Sequence, residues 1–398
     1  MSEIINNKHR IAVIVSHPIQ HFVPQYKSWS ELNNVDLCVF FASKHGLNTY
    51  HDKNFGREIK WEGMQLDFPH EFLPNAETKK TGKNIDSSEL CDRLDVFKPE
   101  IIISYGYIQP LQRRGINWAK KHNVSVCMIS DSELHVKRSL LKRIIKKILI
   151  PIIYKKVDLF FSVGDSNEAY YRNYGVKDEQ LIRTFFPIDR KHYDEVLNNY
   201  ESVRNKIRKL LNIPNDHKLI LTVGKLVNWK RQIDLVKLSN LLQNSNNKIT
   251  IVLAGTGPDE EYLRSQCKNI GPGGVIFAGF VQPKTLAEYY CASDVYVHAS
   301  EYEPHSLAIS EALYCGKPIV ISDRCGSYGP SDDLQNGLNG FMYRVKNIED
   351  LNRKVSYIIN NPNVEKQMNE KSFELSRKHQ SLAHGEALNQ AITVLKFK

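Results

Sequence analysis

Short runs of Val, Ile, Leu and Phe recur along this chain, each followed by a stretch with helical spacing, and this recurrence narrows the fold more than any other feature. In the first half the runs are Ile11–Val15, Asp36–Phe41, Ile101–Ser104, Ser125–Ile129 and Leu159–Val163. In the second half they are Leu219–Val223, Ile249–Ala254, Val275–Ala278, Val295–Val297, Pro318–Ile321 and Gly340–Tyr343. Most are continuous rather than alternating, the pattern of strands covered on both faces. Strand and helix alternating at this spacing predict an α/β protein with parallel sheets. The series breaks between Phe186 and Pro214, where two prolines flank a polar, charged segment with helical character, Tyr193–Leu211. We therefore expect two Rossmann-like domains facing each other across a cleft, residues 1–188 and 189–376. Helical stretches follow at 347–360, 363–379 and 383–397. The segment 377–398 has no strand after it, and is placed to pack back across the first domain.

The 398 residues suffice for two separate cores, and 41% hydrophobic with 25% charged residues is ordinary for a soluble protein. A net charge of +10 favours anionic partners: phosphates, acidic lipid or nucleic acid. Nucleic acid is set aside, because no pattern of interleaved aromatic and basic residues and no recognition element is found. The seven cysteines are scattered and never spaced as CxxC, which speaks against a disulfide framework or a structural zinc site and fits a reducing cytoplasm. Met1–Arg10 is polar and lacks the apolar core of a signal peptide. No run approaches the roughly 18–20 apolar residues that span a bilayer. The expectation is a cytoplasmic protein, soluble or peripheral to a membrane.

Ser300–Leu313 carries the strongest chemical signal. Glu303 lies in a loop after a strand, and Glu311 eight residues on lies inside a helix that His305 or Ser306 can cap and that continues through Cys315. A helix start presents unpaired N–H groups and the positive end of a dipole, so phosphate oxygens are welcome at Ser306 and Leu307. Glu311 can accept hydrogen bonds from vicinal hydroxyls such as a ribose, and Glu303 can do the same for a sugar. Gly224-Lys225, with Lys230, follows the first strand of the second domain and places two cations where a diphosphate can be neutralised. Gly255-Thr-Gly-Pro258 and Gly279-Phe280-Val281 are further strand-end turns, the second able to offer backbone groups to a base edge. Gly326, Gly329 and Asn336–Gly340 are close turns, for which approach to a sugar and simple turning are both open.

In the first domain, Ser16-His17-Pro-Ile-Gln20 follows the first strand into the cleft. His17 and His21 are four apart, but nothing is spaced to complete a metal site, so no metal is expected. Asp131, after the fourth strand, is placed either to accept a proton or bind a hydroxyl, or merely to cap a helix. Asp52 and Phe55-Gly56 lie in a polar, aromatic loop suited to an acceptor. Between Lys137 and Lys156, eight Lys/Arg interleave with paired apolar residues. At about 100° per residue the apolar pairs sweep one side, and Lys142, Arg143, Lys146 and Lys147 fall largely on the other. Such a helix either lies on an anionic membrane or turns its apolar side to the sheet. Pro151 is expected to kink or end it.

These residues resemble the family-4 retaining glycosyltransferases of the GT-B fold. Glu303-Pro-His-Ser-Leu-Ala-Ile-Ser-Glu311 is similar to the family's E-x7-E motif, together with Gly224-Lys225…Lys230, Gly255–Pro258 and Asn339-Gly340. In the first domain, His17–Gln20, Asp52…Phe55-Gly56…Trp61 and Asp131-Ser132 look like a subgroup of bacterial surface-polysaccharide synthesis. The resemblance implies that Lys225 and Lys230 bind the donor diphosphate, Glu311 the ribose, and Glu303 the transferred sugar or its phosphate side. Lys225 stands where the family commonly has Arg, and Ser130-Asp131 where it often has His. Asp131 and His17 are therefore both candidates for the residue over the sugar. The implied activity is metal-independent, retaining transfer of a hexose-type sugar from a nucleoside diphosphate, UDP in preference to GDP, to a glycan. No cofactor is implied; the nucleotide sugar is substrate. The basic segment points to a lipid-linked acceptor at an anionic membrane surface, the inner face of the plasma membrane. A nucleotide-sugar epimerase and a non-catalytic sugar-nucleotide sensor are the competing readings.

Overall fold

The computed structural model describes residues 8–52, 54–59, 64–135, 139–242 and 248–396. Trp61 and the start of the basic stretch at Lys137 lie outside the described residues.

The first sheet is built from β1 (His9–Val15), β2 (Val35–Phe41), β5 (His70–Phe72), β6 (Ile101–Tyr105), β7 (Ser125–Ser130), β8 (Leu159–Ser162) and β9 (Leu181–Arg183). Its order is β5-β2-β1-β6-β7-β8-β9, and every pairing is parallel. Between β2 and β5 the chain makes a small antiparallel hairpin of β3 (Tyr50–Asp52) and β4 (Arg57–Ile59). The second sheet holds β10 (Lys218–Val223), β11 (Ile249–Ala254), β12 (Val275–Gly279), β13 (Val295–His298), β14 (Ile319–Ser322) and β15 (Gly340–Tyr343), in the parallel order β12-β11-β10-β13-β14-β15. Each sheet has a core on both faces, as the continuous apolar strands require. The architecture is α/β with two Rossmann-like domains.

The chain passes from the first core to the second at Phe186–Ile188, since Phe186 is buried in one and Ile188 in the other. It returns through Pro362–Ser381, a π-helical kink at Leu382–Glu386 and the last helix Ala387–Lys396. Ala387, Leu388, Ala391 and Ile392 of that helix pack into the first domain's core. The carbonyl of Ala383 accepts hydrogen bonds from Gln25 Nε2 at 2.8 Å and Trp29 Nε1 at 3.2 Å.

Several local expectations need correction. The segment expected as one helix over Tyr193–Leu211 is two, Arg190–Leu197 and Tyr200–Leu210, broken at Asn198-Asn199. The first is capped by Asp189, whose carboxylate accepts the His192 N–H. Pro151 does not end the basic helix, which runs Leu140–Tyr154. Only one further turn follows the proline, and the Pro151 carbonyl still accepts the Lys155 N–H at 3.0 Å. No helix starts at Asp131 or Ser132, so neither caps one.

Candidate functional site

The loops at the carboxyl ends of both sheets converge on one cavity of about 2090 Å³ between the domains. Its second-domain wall contains Gly224, Lys225, Lys230, Gly255, Phe280 and Val281 from the ends of β10, β11 and β12. After β13 the same wall continues through Glu303, His305, Ser306, Leu307 and Glu311. His17 and Asp131 face it from the first domain. Residues widely separated in sequence thus share one cavity.

The helix Leu307–Tyr314 starts at Ser306, but the Ser306 side chain makes no capping hydrogen bond, nor does His305 cap it. Instead the Ser306 N–H donates to Ser327 Oγ at 3.0 Å, and the His305 ring turns to Asp332. The helix start is therefore held by a neighbouring loop rather than by its own cap. Gly326 belongs to that loop. A Cβ there would stand 2.0 Å from the Pro304 carbonyl oxygen, and the Gly326 N–H donates to the Glu303 carbonyl at 2.8 Å. Close approach to the Glu303 loop accounts for this glycine.

Glu303 is the most densely partnered group of the site. Its Oε2 accepts from Lys230 Nζ and lies 3.2 Å from His298 Nε2, with Ser300 Oγ at 3.4 Å. Burial pushes the carboxyl up, but the His298 hydrogen bond and the Lys230 charge outweigh it and hold Glu303 at about 2. It is a carboxylate throughout the physiological range. Glu311 is the opposite case. Burial raises it to about 7 against the hydrogen bond from the Tyr290 hydroxyl, 3.0 Å away. No cation offsets that burial, so this carboxyl titrates near neutrality.

Lys225 does not wait alone for a ligand. It donates to Asp52 Oδ2 at 2.9 Å and sits 4.6 Å from the Phe55 ring centroid, both on the β3–β4 hairpin of the other domain. Asp52 is preorganised there, because its Oδ1 accepts the N–H groups of Asn54 and Phe55 at 2.8 and 3.1 Å. Phe55 meets Phe280 edge to face at 5.3 Å, and Thr256 Oγ1 donates to the Phe55 carbonyl. The first-domain loop that carries Asp52 and Phe55 thus docks on the second-domain wall of the cleft, at Lys225, Thr256 and Phe280.

Asp131 is exposed and lines the cleft. Desolvation pushes its carboxyl up, with His305 opposing the shift and Glu303 adding to it. His17 takes a hydrogen bond with Ser16 Oγ at 2.8 Å and meets His45 edge-on at 5.5 Å. Burial, and then His45, lower it to about 4, so it is a neutral imidazole at pH 7. His21 packs on Phe22 and Phe186 rather than pairing with His17.

Sequence reasoning missed His298 and Tyr290, the partners of the two glutamates. A histidine at the buried end of β13 was the available signal for the first. It also missed the polar junction behind His305. There His305 Nε2 lies 3.2 Å from Asp332, which accepts the Asp165 N–H at 2.6 Å, while Arg183 Nη2 donates to Asp165 at 2.6 Å. His305, Asp332 and Asp333 have ligand atoms within 4.8 Å of one another, a grouping compatible with a metal. Their hydrogen bonds to one another, to His379 and to the first domain account for them as a domain junction.

Residues 203–375 match the family described as "Glycosyl transferases group 1". Among curated proteins, an uncharacterized glycosyltransferase of Methanocaldococcus jannaschii is 33% identical over 35% of this chain and 35% of its own length. An N,N'-diacetylbacillosaminyl-diphospho-undecaprenol alpha-1,3-N-acetylgalactosaminyltransferase of Campylobacter jejuni is 25% identical over 55% of this chain and 56% of its own. The chain spans about a third to a half of the length of the first curated relatives it matches. Among solved structures, a glycosyltransferase of Rickettsia africae superposes with a TM-score of 0.71, covering 98% of this chain and 100% of that one at 13% identity. Anabaena HepE in complex with UDP gives 0.69, with coverage of 98% and 100% at 15% identity. The second domain thus matches the group 1 glycosyl transferases, and the two domains together have the GT-B fold of solved glycosyltransferases.

Proposed function

We propose that this protein is a retaining, metal-independent glycosyltransferase. It moves a hexose-type sugar from a nucleoside-diphosphate sugar, UDP in preference to GDP, to a hydroxyl of a growing glycan. The observation that carries this reading is the arrangement on one wall of the cleft. Two lysines just after β10, an ionised Glu303 and the start of the helix Leu307–Tyr314 stand beside a Glu311 that faces the same space. Lys225, Lys230 and the helix start stabilise the departing diphosphate. Glu311 accepts the ribose hydroxyls, and Glu303 orients Lys230 and the sugar. The acceptor oxygen bonds the anomeric carbon from the face the diphosphate leaves, the carbon–oxygen bond to the β-phosphate breaks, and the departing phosphate oxygen takes the acceptor proton. No enzyme nucleophile is needed. Asp131 and His17 are the candidates over the sugar from the other domain.

The acceptor is read as lipid-linked, in surface-polysaccharide or O-antigen synthesis at the cytoplasmic face of the plasma membrane. The name of the Campylobacter relative specifies a diphospho-undecaprenol acceptor for that enzyme, and the basic helix of this chain supports the same class. Labelled UDP- and GDP-sugars with membrane-extracted glycolipid test the proposal. Label is expected in lipid, from the UDP-sugar, with EDTA present. Conversion of the sugar nucleotide without acceptor, or binding without turnover, would overturn it.

A further inference from the structure

The basic helix Leu140–Tyr154 packs on the first domain in an unusual sense. Its buried side chains are Ile150 and Tyr154, and Lys146 points inward, its Nζ 3.1 Å from the Tyr170 hydroxyl. The broad apolar side faces outward instead. Leu140, Leu141, Ile148 and Ile152 are 70%, 67%, 60% and 55% exposed, and Ile144 is 49% exposed. The alternative of an apolar side turned to the sheet therefore fails for most of the helix. At about 100° per residue these side chains span about a third of the helix circumference; Ile145 and Leu149 extend the apolar arc to about a half, with Lys147 at one border and Lys142 at the other. Lys142, Arg143 and Lys147 make no ion pair among the described residues, and no Asp or Glu occurs from Ser139 to Val157.

One border of this surface continues into the cleft. Ile145, Leu149 and Ile153 line the domain cleft with Tyr107 and Ile108, and the cavity continues from them to the Asp131 loop. An apolar strip thus runs from the open face of the helix into the place where an acceptor hydroxyl must arrive.

We propose that this helix seats the protein on an anionic phospholipid bilayer, and that its cleft-side border is the port by which a lipid-borne acceptor enters laterally. The port rests on the lipid-linked reading of the acceptor; the seat does not. Charge fixes the occupant. An apolar arc bordered by lysines suits a surface whose interior accepts Leu and Ile while its headgroups meet the ammonium groups. A second copy of this chain would bring the same cations against one another. The tail of an acceptor then stays in lipid or on the apolar strip while its head group passes inward, and no apolar chain crosses water.

The test uses the full chain with phosphatidylcholine vesicles, with and without phosphatidylglycerol. Binding to the anionic vesicles only, weakened by salt, is expected. Leu141→Glu with Ile148→Glu should weaken it by about tenfold or more, because charged side chains replace two inserted ones. Both positions are exposed and distant from the donor wall, so melting temperature and UDP affinity should stay unchanged. Equal binding to both vesicle types, or none, overturns the seat. So does a wild-type dimer that the double variant converts to monomer. For the port, Ile145→Trp should gain fluorescence that brominated phosphatidylcholine in the same vesicles quenches, as it quenches Ile148→Trp. Quenching at 148 alone overturns the port and leaves the seat. Neither measurement involves turnover, so UDP calorimetry on the same samples separates failure of the donor reading from failure of this one.

Discussion

Lys225 and Asp52 stand 173 positions apart in sequence and 2.9 Å apart in space, one at the end of β10 and the other on the hairpin of the opposite domain. The lysine expected to meet a diphosphate is thus already neutralised by a carboxylate. A diphosphate arriving there brings like charge against Asp52, and one of the two must yield. Asp52→Asn removes that competitor while keeping the side chain's size. We expect it to tighten UDP binding by about tenfold, ~1.4 kcal/mol, read by calorimetry. Lys225→Met should weaken it by at least as much. Weaker UDP binding in Asp52→Asn would mean that Asp52 contacts the donor directly.

Glu311 sets a pH dependence whose sign follows from burial. Its carboxyl is raised from the usual 4.5 to about 7 because no cation offsets the desolvation. The protonated form therefore stabilises the fold at low pH, and that contribution is lost as pH rises from about 4.5 to about 7. Ribose hydroxyls donate to the ionised form, so donor binding favours proton loss. UDP affinity should rise as pH climbs through about 7 and level off above it. Glu311→Gln should bind more weakly and show a flat profile between pH values of about 6 and 8. A wild-type profile equally flat would remove the carboxylate from the ribose.

Glu303 is held near 2 and cannot exchange protons at neutral pH, so its role is electrostatic. Glu303→Gln keeps the shape but leaves Lys230 and His298 without the charge they share. Turnover should fall on the order of 10²-fold with donor affinity changed much less, the pattern of a group acting mainly in the transition state. An equal loss in affinity and none in turnover would assign Glu303 to ground-state binding.

Much of this fold was legible because strands covered on both faces leave no polar periodicity to confuse them. The eleven apolar runs named from the sequence all correspond to strands, within two residues at either end. Four strands were missed: β3, β4, β5 and β9, three residues each and mostly polar or half-exposed. Their pairing is decided by neighbours rather than by their own composition. The glutamates and lysines of the second domain were legible because local spacing on a strand-loop-helix unit places them. What spacing cannot reveal is who meets them. His298 against Glu303, Tyr290 against Glu311 and Asp52 against Lys225 are tertiary encounters. The basic helix shows the same limit, since periodicity reveals two faces but not which of them the protein covers.

The crossing between the domains is clamped from the C-terminal end, and this makes a stability prediction. Gln380 Oε1 accepts the Ile188 N–H at 2.9 Å, and its Nε2 donates to the Phe186 carbonyl at 2.9 Å, both buried. One side chain satisfies both backbone groups of the linking segment that its Pro187 interrupts. Gln380→Ala strands a buried donor and a buried acceptor, each costing roughly 1–3 kcal/mol. Leu388→Ala, eight residues on, leaves the linker untouched but empties a fully buried site in the first domain's core, at about 2–5 kcal/mol. Both should lower the melting temperature. Only Gln380→Ala should also loosen the relation between the domains, seen as a larger radius of gyration by small-angle scattering at a temperature where both variants are folded. If Leu388→Ala expands the molecule equally, the last helix and not the Gln380 clamp holds the cleft in register.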